Sequence, residues 1–550
     1  MNRSAGMTAA ERSLQLNRKK SRASPSNRYG QGCALTELQD ETVTSGIRVL
    51  FLEWLEQTSH PRERGLCAHS LYWGAGYRSK DQAPHYVVAM QRISRMKIVK
   101  RVRESLLLGS ALEFQRDRLG LMMRVARECG EMGAFRVGPL RIIQVNSARL
   151  TEALLTEHDS MLSVGALGRL FVPVLGEESP LALDGEPHMR FRRASAPAFQ
   201  PKRLIRYTQP MAEFADQFQR GLQDGATLNV EAAMVQLSRN IIAKTFFDES
   251  VEGEGVDVFS AAVDEVVAYL ARMTARLVPI PLSWPLESNR RVRAAIEVLQ
   301  SRLKQLIQQG REAGVDRGDF LSMLLMFRDA HGNGLSELQL QSYAMTTYFG
   351  GYVTIANTLA WLWLTLGAHP EIRTKLEQEA EAVLRGRLPT HEDLPKLPYA
   401  LRVIKETLRL YPPLFLFGRE PAGDLEVSGY PLRKGQVLLF SPYVLHRDPE
   451  LFPEPERFEP DRFLPEKEKA LPRGAYIPFG WGAHACIGQR FAMMEMHLAV
   501  AHLAQHLTFE SLPGARTRPL ALAVLKPDSA NMVVRRRNGE STLLGARGVG

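Results

Sequence analysis

The sequence predicts a mainly α-helical chain with a small β portion, folded as one large domain behind a basic N-terminal extension. Three observations carry that expectation. From about residue 150 to about residue 410, apolar residues return at helical spacing in one segment after another, with Pro or Asp at the starts and Gly at the ends. One segment, LSELQLQSYAMTTYFGGYVTIANTLAWLWLTLG from Leu335, is apolar on every side, which suits a helix buried through the middle of a large domain. Short strand signals lie to either side of this helical stretch: FRVGPLRIIQVNS before it, DLEVSGYPL and QVLLFSPYVL after it. A chain of 550 residues, 45% hydrophobic and 24% charged, can bury a sizeable core.

Residues 1–106 hold 18 Lys and Arg against 9 Asp and Glu, so nearly all of the net charge of +10 belongs to this segment. Its opening run, RKKSRASPSNRYGQG, is polar and reads as a largely disordered extension. No zinc spacing or aromatic RNA-binding strand accompanies the charge, so a nucleic-acid partner is not expected. The domain is placed at 107–530, opening with the helix-like SALEFQRDRLGLMMRVA just after Met96 and its basic run, and residues 531–550 are read as a flexible tail. Helices follow at MAEFADQFQRGL, VRAAIEVLQSRLKQLIQQ and PEIRTKLEQEAEAVLRG; a Pro-rich connector, ELFPEPERFEPDRFLPE, leads to a glycine-rich loop and a last helix, RFAMMEMHLAVAHLAQHL. No run approaches the ~18 apolar residues of a spanning helix, and no signal-peptide order opens the chain. Four widely spaced cysteines (Cys33, Cys67, Cys129, Cys486) make no disulfide framework. A cytoplasmic monomer is the expectation.

The chemistry concentrates in FGWGAHACIG, residues 479–488. Cys486 there could be a packed core residue, a disulfide partner, a nucleophile or a metal ligand. Gly480, Gly482 and Ala485 spell G-x-G-x-x-A, but no room remains for the following strands of a dinucleotide fold and no acid stands about 20 residues on. His446-Arg447-Asp448 is similar to a kinase catalytic loop, yet Pro449 follows it and the required Asn is missing. Glycines on both sides of a cysteine let a flat ligand approach the backbone. Amides at the start of the next helix favour a thiolate. No second Cys or His stands at zinc spacing, whereas a single axial thiolate suits a haem iron, whose porphyrin supplies the other four ligands.

The loop resembles the haem-binding signature of the cytochrome P450 family, with Phe479, Gly482, Cys486 and Gly488 at its fixed positions and His484 at the basic one. Glu406 and Arg409 resemble the family's E-x-x-R, an i, i+3 pair on one helical face. Pro455-Glu-Arg457-Phe matches its P-E-R-F segment, and His188-Met-Arg-Phe-Arg192 resembles the helix that meets the haem propionates. The resemblance runs from about residue 107 to about 530. It implies the cytochrome P450 fold, haem b held by Cys486 with His484 and Phe479 among its binding residues, and propionate contacts from His188, Arg192 and Arg419. It also implies a buried network of Glu406, Arg409 and Arg457 behind the haem.

The long central helix departs from the family. Where the family usually reads [A/G]-G-x-[D/E]-T-[T/S], this chain reads Gly350-Gly351-Tyr352-Val353-Thr354-Ile355. The resemblance implies that the glycines leave room for dioxygen and that Thr354 assists proton delivery, but Val353 cannot relay a proton. The expected function is a haem-dependent monooxygenase. It would insert one atom of O2 into an apolar organic substrate, with electrons from a separate ferredoxin- or flavodoxin-type donor. Tyr348, Val353, Leu414, Phe415, Leu416 and Phe417, together with the loop around Phe171 and Val172, are the candidate pocket lining. Val353 keeps open a haem-thiolate enzyme that uses peroxide or catalyses a rearrangement or coupling, and the missing acid also leaves open a non-catalytic haem sensor.

Overall fold

A computed structural model describes residues 96–248, 256–276 and 280–537, and the compact unit that begins at Val99 holds every element named below. Eleven helices of eight residues or more lie among the described residues: α1 (Arg118–Cys129), α2 (Ala148–Leu155), α3 (Gly185–Ser195), α4 (Pro201–Arg220), α5 (Val230–Phe247), α6 (Val256–Ala275), α7 (Glu287–Ala313), α8 (Glu337–Ala368), α9 (Pro370–Leu384), α10 (Pro398–Leu410) and α11 (Gln489–His506). The strands are β1 (Lys100–Arg101), β2 (Met132–Val137), β3 (Leu140–Val145), β4 (Leu162–Ser163), β5 (Thr227–Asn229), β6 (Phe417–Pro421), β7 (Leu425–Val427), β8 (Tyr430–Leu432), β9 (Val437–Phe440), β10 (Leu507–Ser511), β11 (Pro519–Ala521), β12 (Leu525–Pro527) and β13 (Asn531–Arg536).

The central segment forms one helix, α8, as expected. Ser336 caps it, accepting from the Gln339 amide while the Gln339 side chain accepts from the Ser336 amide; Pro370 then opens α9 in the first-turn position it tolerates. Tyr343, Tyr352, Ile355, Leu359 and Trp363 of α8 sit in the main hydrophobic core with Met234, Ile241 and Phe246 of α5. The apolar all-round character that no surface helix would carry is thereby accounted for.

The six-stranded sheet runs β1-β2-β3-β9-β6-β4. Its β2–β3 hairpin pairs Met132 with Val145 through to Val137 with Leu140, around a turn that includes Gly138 at φ 60°. The β7–β8 hairpin turns on Ser428 and Gly429, both left-handed, as a two-residue turn requires. The sheet places β6, with Arg419, beside β9 and β4.

Both domain borders lie further out than the sequence reading put them. β1 pairs in parallel with β2, and Val102 is buried, so the fold begins before residue 107. β13 lies between β10 and β5, with Met532 and Val534 fully buried, so residues 531–536 are strand rather than tail. Alternation of Met532 and Val534 with outward neighbours is the period-two signal that this segment carries. The expectations of disorder for residues 1–95 and 538–550 lie outside the described residues. Among the described residues, no helix is long and apolar enough to cross a membrane.

Candidate haem-thiolate site

Cys486 sits three residues ahead of α11, in the turn that closes when its amide donates to the Phe479 carbonyl at 2.8 Å. Glycine is required at position 482: its φ is 77°, and a Cβ there would run into the Leu155 carbonyl. The loop is thus pressed against the end of α2. Cys486 keeps accessible surface although protein is packed around its thiol. Burial pushes the thiol up; the amides of Gly488 and Gln489 and the Arg192 guanidinium oppose it by favouring the thiolate. Phe479 packs against the main core from the other end of the loop.

α3 brings His188 and Arg192 to the same place, one turn apart. Arg192 donates to the Ala485 carbonyl at 2.6 Å, which ties α3 to the cysteine loop. The His188 ring stacks on the His484 ring with centroids 3.9 Å apart. Arg419 reaches in from β6, and its charge bears on both imidazoles and on Asp159 and Asp184. Burial, reinforced by these guanidinium groups, pushes His188 down to about 4 and His484 to about 3. Four basic side chains therefore share one buried corner with two carboxyls, and burial raises both of those. The buried Nε of Arg419 has no hydrogen-bond partner.

These residues fit a haem. One cysteine keeps accessible surface, the Arg192 and Arg419 guanidinium groups stand at one edge of the site with two imidazoles, and a buried guanidinium N–H of Arg419 awaits an acceptor, as the carboxylates of a porphyrin require. Among the described residues no group of three or more His, Cys, Asp or Glu could hold a bare metal ion.

The adjacent glycines Gly350 and Gly351 of α8 do different work. Gly350 is exposed within an otherwise buried helix, and a Cβ there would meet nothing within 4 Å. A Cβ on Gly351 would lie 2.8 Å from the end of the Ile242 side chain. Gly351 therefore serves the close packing of α8 on α5, and only Gly350 leaves open space. The Thr354 hydroxyl donates to the Gly350 carbonyl at 3.0 Å.

The pocket lining needs correction. Tyr348 is buried among Phe247, Phe259, Phe349 and Tyr352, as a core residue between α5, α6 and α8. Phe415 is buried with Phe135 and Ile142, Leu416 packs against the same cluster, and Phe417 stacks on Phe440 across the β6–β9 pair. Apolar residues at the root of a sheet serve its packing first. Leu414 is exposed, and Leu416, Phe417, Val353, Phe171 and Val172 keep partial exposure.

Behind the loop, Glu406 and Arg409 of α10 are completely buried and joined by a two-point fork at 2.7 and 2.9 Å. Every guanidinium donor is used: the remaining three reach the carbonyls of His446, Pro455 and Arg457. Burial raises the Glu406 carboxyl, and the fork, the Glu459 amide at 2.8 Å and Arg462 pull it back. The expected third member is corrected here. The Arg457 side chain is 64% exposed and pairs with Glu454; only its main-chain carbonyl joins the network. Arg462, 10% exposed, holds the place near Glu406 at 3.4 Å.

Two buried residues were missed in the sequence. His446, dismissed with its kinase-like neighbours, accepts at Nε2 from the Ile477 amide, which fixes the proton on Nδ1, where it donates to the Arg409 carbonyl. Burial, with Arg409 nearby, holds it down at about 3, so it is a neutral link from α10 to the cysteine loop. Glu495 of α11 is fully buried, and neither carboxyl oxygen has a hydrogen-bond partner; Ser238 is within reach but not in bonding geometry. Burial pushes this carboxyl well above its ordinary value. A raised folded-state value means that stability is lost as pH climbs from the unfolded carboxyl range toward the folded one. Glu495→Gln is therefore expected to raise the urea midpoint at pH 7–8 and to leave it unchanged near pH 4. Equal midpoints at both pH values would mean that the carboxyl is ionised and paired.

The family model for cytochrome P450 matches residues 102–534. The chain is 32% identical over 415 residues to cyclooctatin synthase of Streptomyces melanosporofaciens, covering 75% of this chain and 90% of that one. It is 31% identical over 422 residues to pentalenene oxygenase of Streptomyces avermitilis (76% and 92%) and 28% identical over 412 residues to a sterol 14alpha-demethylase of Mycolicibacterium vanbaalenii (73% and 89%). A solved cyanobacterial structure with retinoic acid bound shares the fold, with a TM-score of 0.71 at 24% identity over 80% of this chain and 100% of that one.

Proposed function

The chain belongs to the cytochrome P450 family and is a haem-dependent monooxygenase, and from that premise we propose that it inserts one atom of O2 into a neutral, apolar organic molecule with electrons from a separate ferredoxin- or flavodoxin-type donor. The observation that carries the reading is the accessible Cys486 at the head of α11, in a loop closed by its amide on the Phe479 carbonyl and by Arg192 on the Ala485 carbonyl. Support for the substrate class comes from the names of two matched relatives, a pentalenene oxygenase and a sterol demethylase, since both compounds are apolar polycycles.

Bound haem b would supply the redox chemistry that activates O2. The chain supplies the rest. Cys486 would be the thiolate that holds the iron, supplying the electron-rich ligand that suits such a haem to O2 chemistry. His188, Arg192, Arg419 and His484 would anchor the propionate edge. Gly350 keeps the α8 face open, and the Thr354 hydroxyl, held on the Gly350 carbonyl, is the group placed to pass a proton into that space. Val353 takes no part in proton transfer.

Val353 also supports a second reading, in which peroxide or a rearranging substrate replaces O2 and external electrons. Product formed with a ferredoxin and reductase under O2 supports the first reading, and product formed only with peroxide supports the second. A spin-shift screen of apolar polycycles identifies the substrate for either. Val353→Asp is expected to raise product formed per electron consumed on the order of tenfold, less than the ~100-fold that a fully positioned acid supplies. Unchanged coupling with normal haem content would show that protons reach Thr354 by another route.

A further inference from the structure

α11 fastens the segment between α9 and α10 at both ends, and the two fastenings answer acid differently. At the α10 end, His497 donates from Nε2 to the Leu397 carbonyl at 2.8 Å. A carbonyl accepts from an imidazolium as well as from an imidazole, so charging His497 leaves that bond in place. At the α9 end the link is indirect. The helix closes in a turn with Arg385 and Gly386 both left-handed, and Gln505 of α11 spans it. Its Oε1 accepts from the Gly386 amide at 3.0 Å, and its Nε2 donates to the Arg387 carbonyl at 3.0 Å. These two main-chain partners settle which way the side-chain amide points. The same Nε2 lies 3.1 Å from Nδ1 of His502, which must therefore accept; the His502 proton sits on Nε2, 3.2 Å from the Asp216 carboxylate of α4.

A second proton on His502 finds no acceptor. It would go to Nδ1 and set an N–H against the Gln505 NH2 group. Turning the Gln505 amide over would offer oxygen to the imidazolium, but would set oxygen against the Arg387 carbonyl and NH2 against the Gly386 amide. Both side chains are buried, so solvent does not take up the unmet donor. Burial holds His502 down at about 4; His506, whose ring lies 4.9 Å away, and Arg220 of α4 act the same way, and only Asp216 opposes them. Asp216 is itself engaged by Arg220 at 2.8 Å and by the Gln219 amide at 3.0 Å. Glu381 of α9 and Arg536 of β13 act on His506 with opposite signs. We infer that His502 and Gln505 form an acid-released latch, which ties the end of α9 to α11 at neutral pH and lets go of the Gly386–Arg387 turn when His502 takes up a proton. The Arg387 fork onto Asp393 and the His497 bond use neither Nδ1 of His502 nor Gln505, so the release is confined to the turn. The latch lies at the end of α11 away from Cys486 and is independent of the substrate reading.

A folded-state value below the ordinary 6.5 means that the latch is at full strength above that pH and weakens as pH falls through it toward about 4. Hydrogen exchange of the full-length, haem-loaded protein as its ferrous–CO complex tests this, read by mass spectrometry over residues 385–388 and corrected for the intrinsic pH dependence of amide exchange. Protection there should fall at least about tenfold between pH 7.5 and pH 5, with the ferrous–CO spectrum unchanged. His502→Gln can still donate to Asp216 and accept from Gln505 but cannot be charged, so it should keep its protection at both pH values. Gln505→Leu removes both bonds to the turn and should show low protection at both. Four results would overturn the proposal: equal protection of the wild type at the two pH values, the same acid loss in His502→Gln, wild-type protection in Gln505→Leu, or a loss that appears only together with loss of the ferrous–CO band. The second would assign the effect to His497 or His506, and the fourth would make it general acid unfolding. The wild-type comparison needs no substitution, so it decides even where a variant does not fold.

Discussion

Replacing Glu406 with alanine is expected to cost about 3–5 kcal/mol of stability and to prevent most of the protein from retaining haem. The fork from Glu406 neutralises a guanidinium that has no exposed surface. Its removal leaves the Arg409 charge buried with three carbonyls but no carboxylate, and frees the Glu459 amide and Arg462 as well. Damage should reach the cysteine loop through His446, whose Nδ1 bonds the Arg409 carbonyl and whose Nε2 takes the Ile477 amide. Urea unfolding followed by circular dichroism, with haem content measured on the same preparations, checks this. Arg457→Ala is the matched control: its exposed guanidinium meets only Glu454, so the change should stay within about 0.5 kcal/mol. Equal damage from both substitutions would contradict the geometry of the network.

The contrast between Arg457 and Arg462 shows where the sequence is readable. Glu406 and Arg409 lie on a helix, where spacing alone puts two side chains on one face. Residues 453–463 are turns and a short 3-10 segment, with Glu454 left-handed at φ 49°. No periodicity tells which arginine such a path turns inward, and the P-E-R-F resemblance pointed to the wrong one. The cysteine loop was readable for the opposite reason, because its constraints fall on single positions: Gly482 against the Leu155 carbonyl and Cys486 at the head of α11. His446 was invisible because both its partners are main-chain atoms, which leave no trace in residue identity. Gly350 and Gly351 are adjacent and identical in sequence, and only the position of Ile242 separates their roles. The β13 strand, by contrast, carried its signal openly in the alternation around Met532 and Val534.

Cys486→Ala is expected to abolish the red-shifted, thiolate-type Soret band of the ferrous–CO complex, together with all O2-dependent turnover. Alanine removes the sulfur and little else. The loop is closed by the amide of residue 486 on the Phe479 carbonyl and by Arg192 on the Ala485 carbonyl, and neither bond uses the side chain. The haem-free variant should therefore unfold within about 1 kcal/mol of the haem-free parent, so that loss of the band reports on the ligand rather than on the fold. Among the described residues the other free cysteine is Cys129, buried on α1 at the far end of the β2 strand packing, where burial raises its thiol. Cys129→Ala should leave the band in place. Any haem still bound by Cys486→Ala would be held by His188, Arg192, Arg419 and His484, and its ferrous–CO band should lie where a complex without thiolate absorbs. A band that survives in Cys486→Ala and disappears in Cys129→Ala would place the ligand on the wrong side of the molecule for every contact described here.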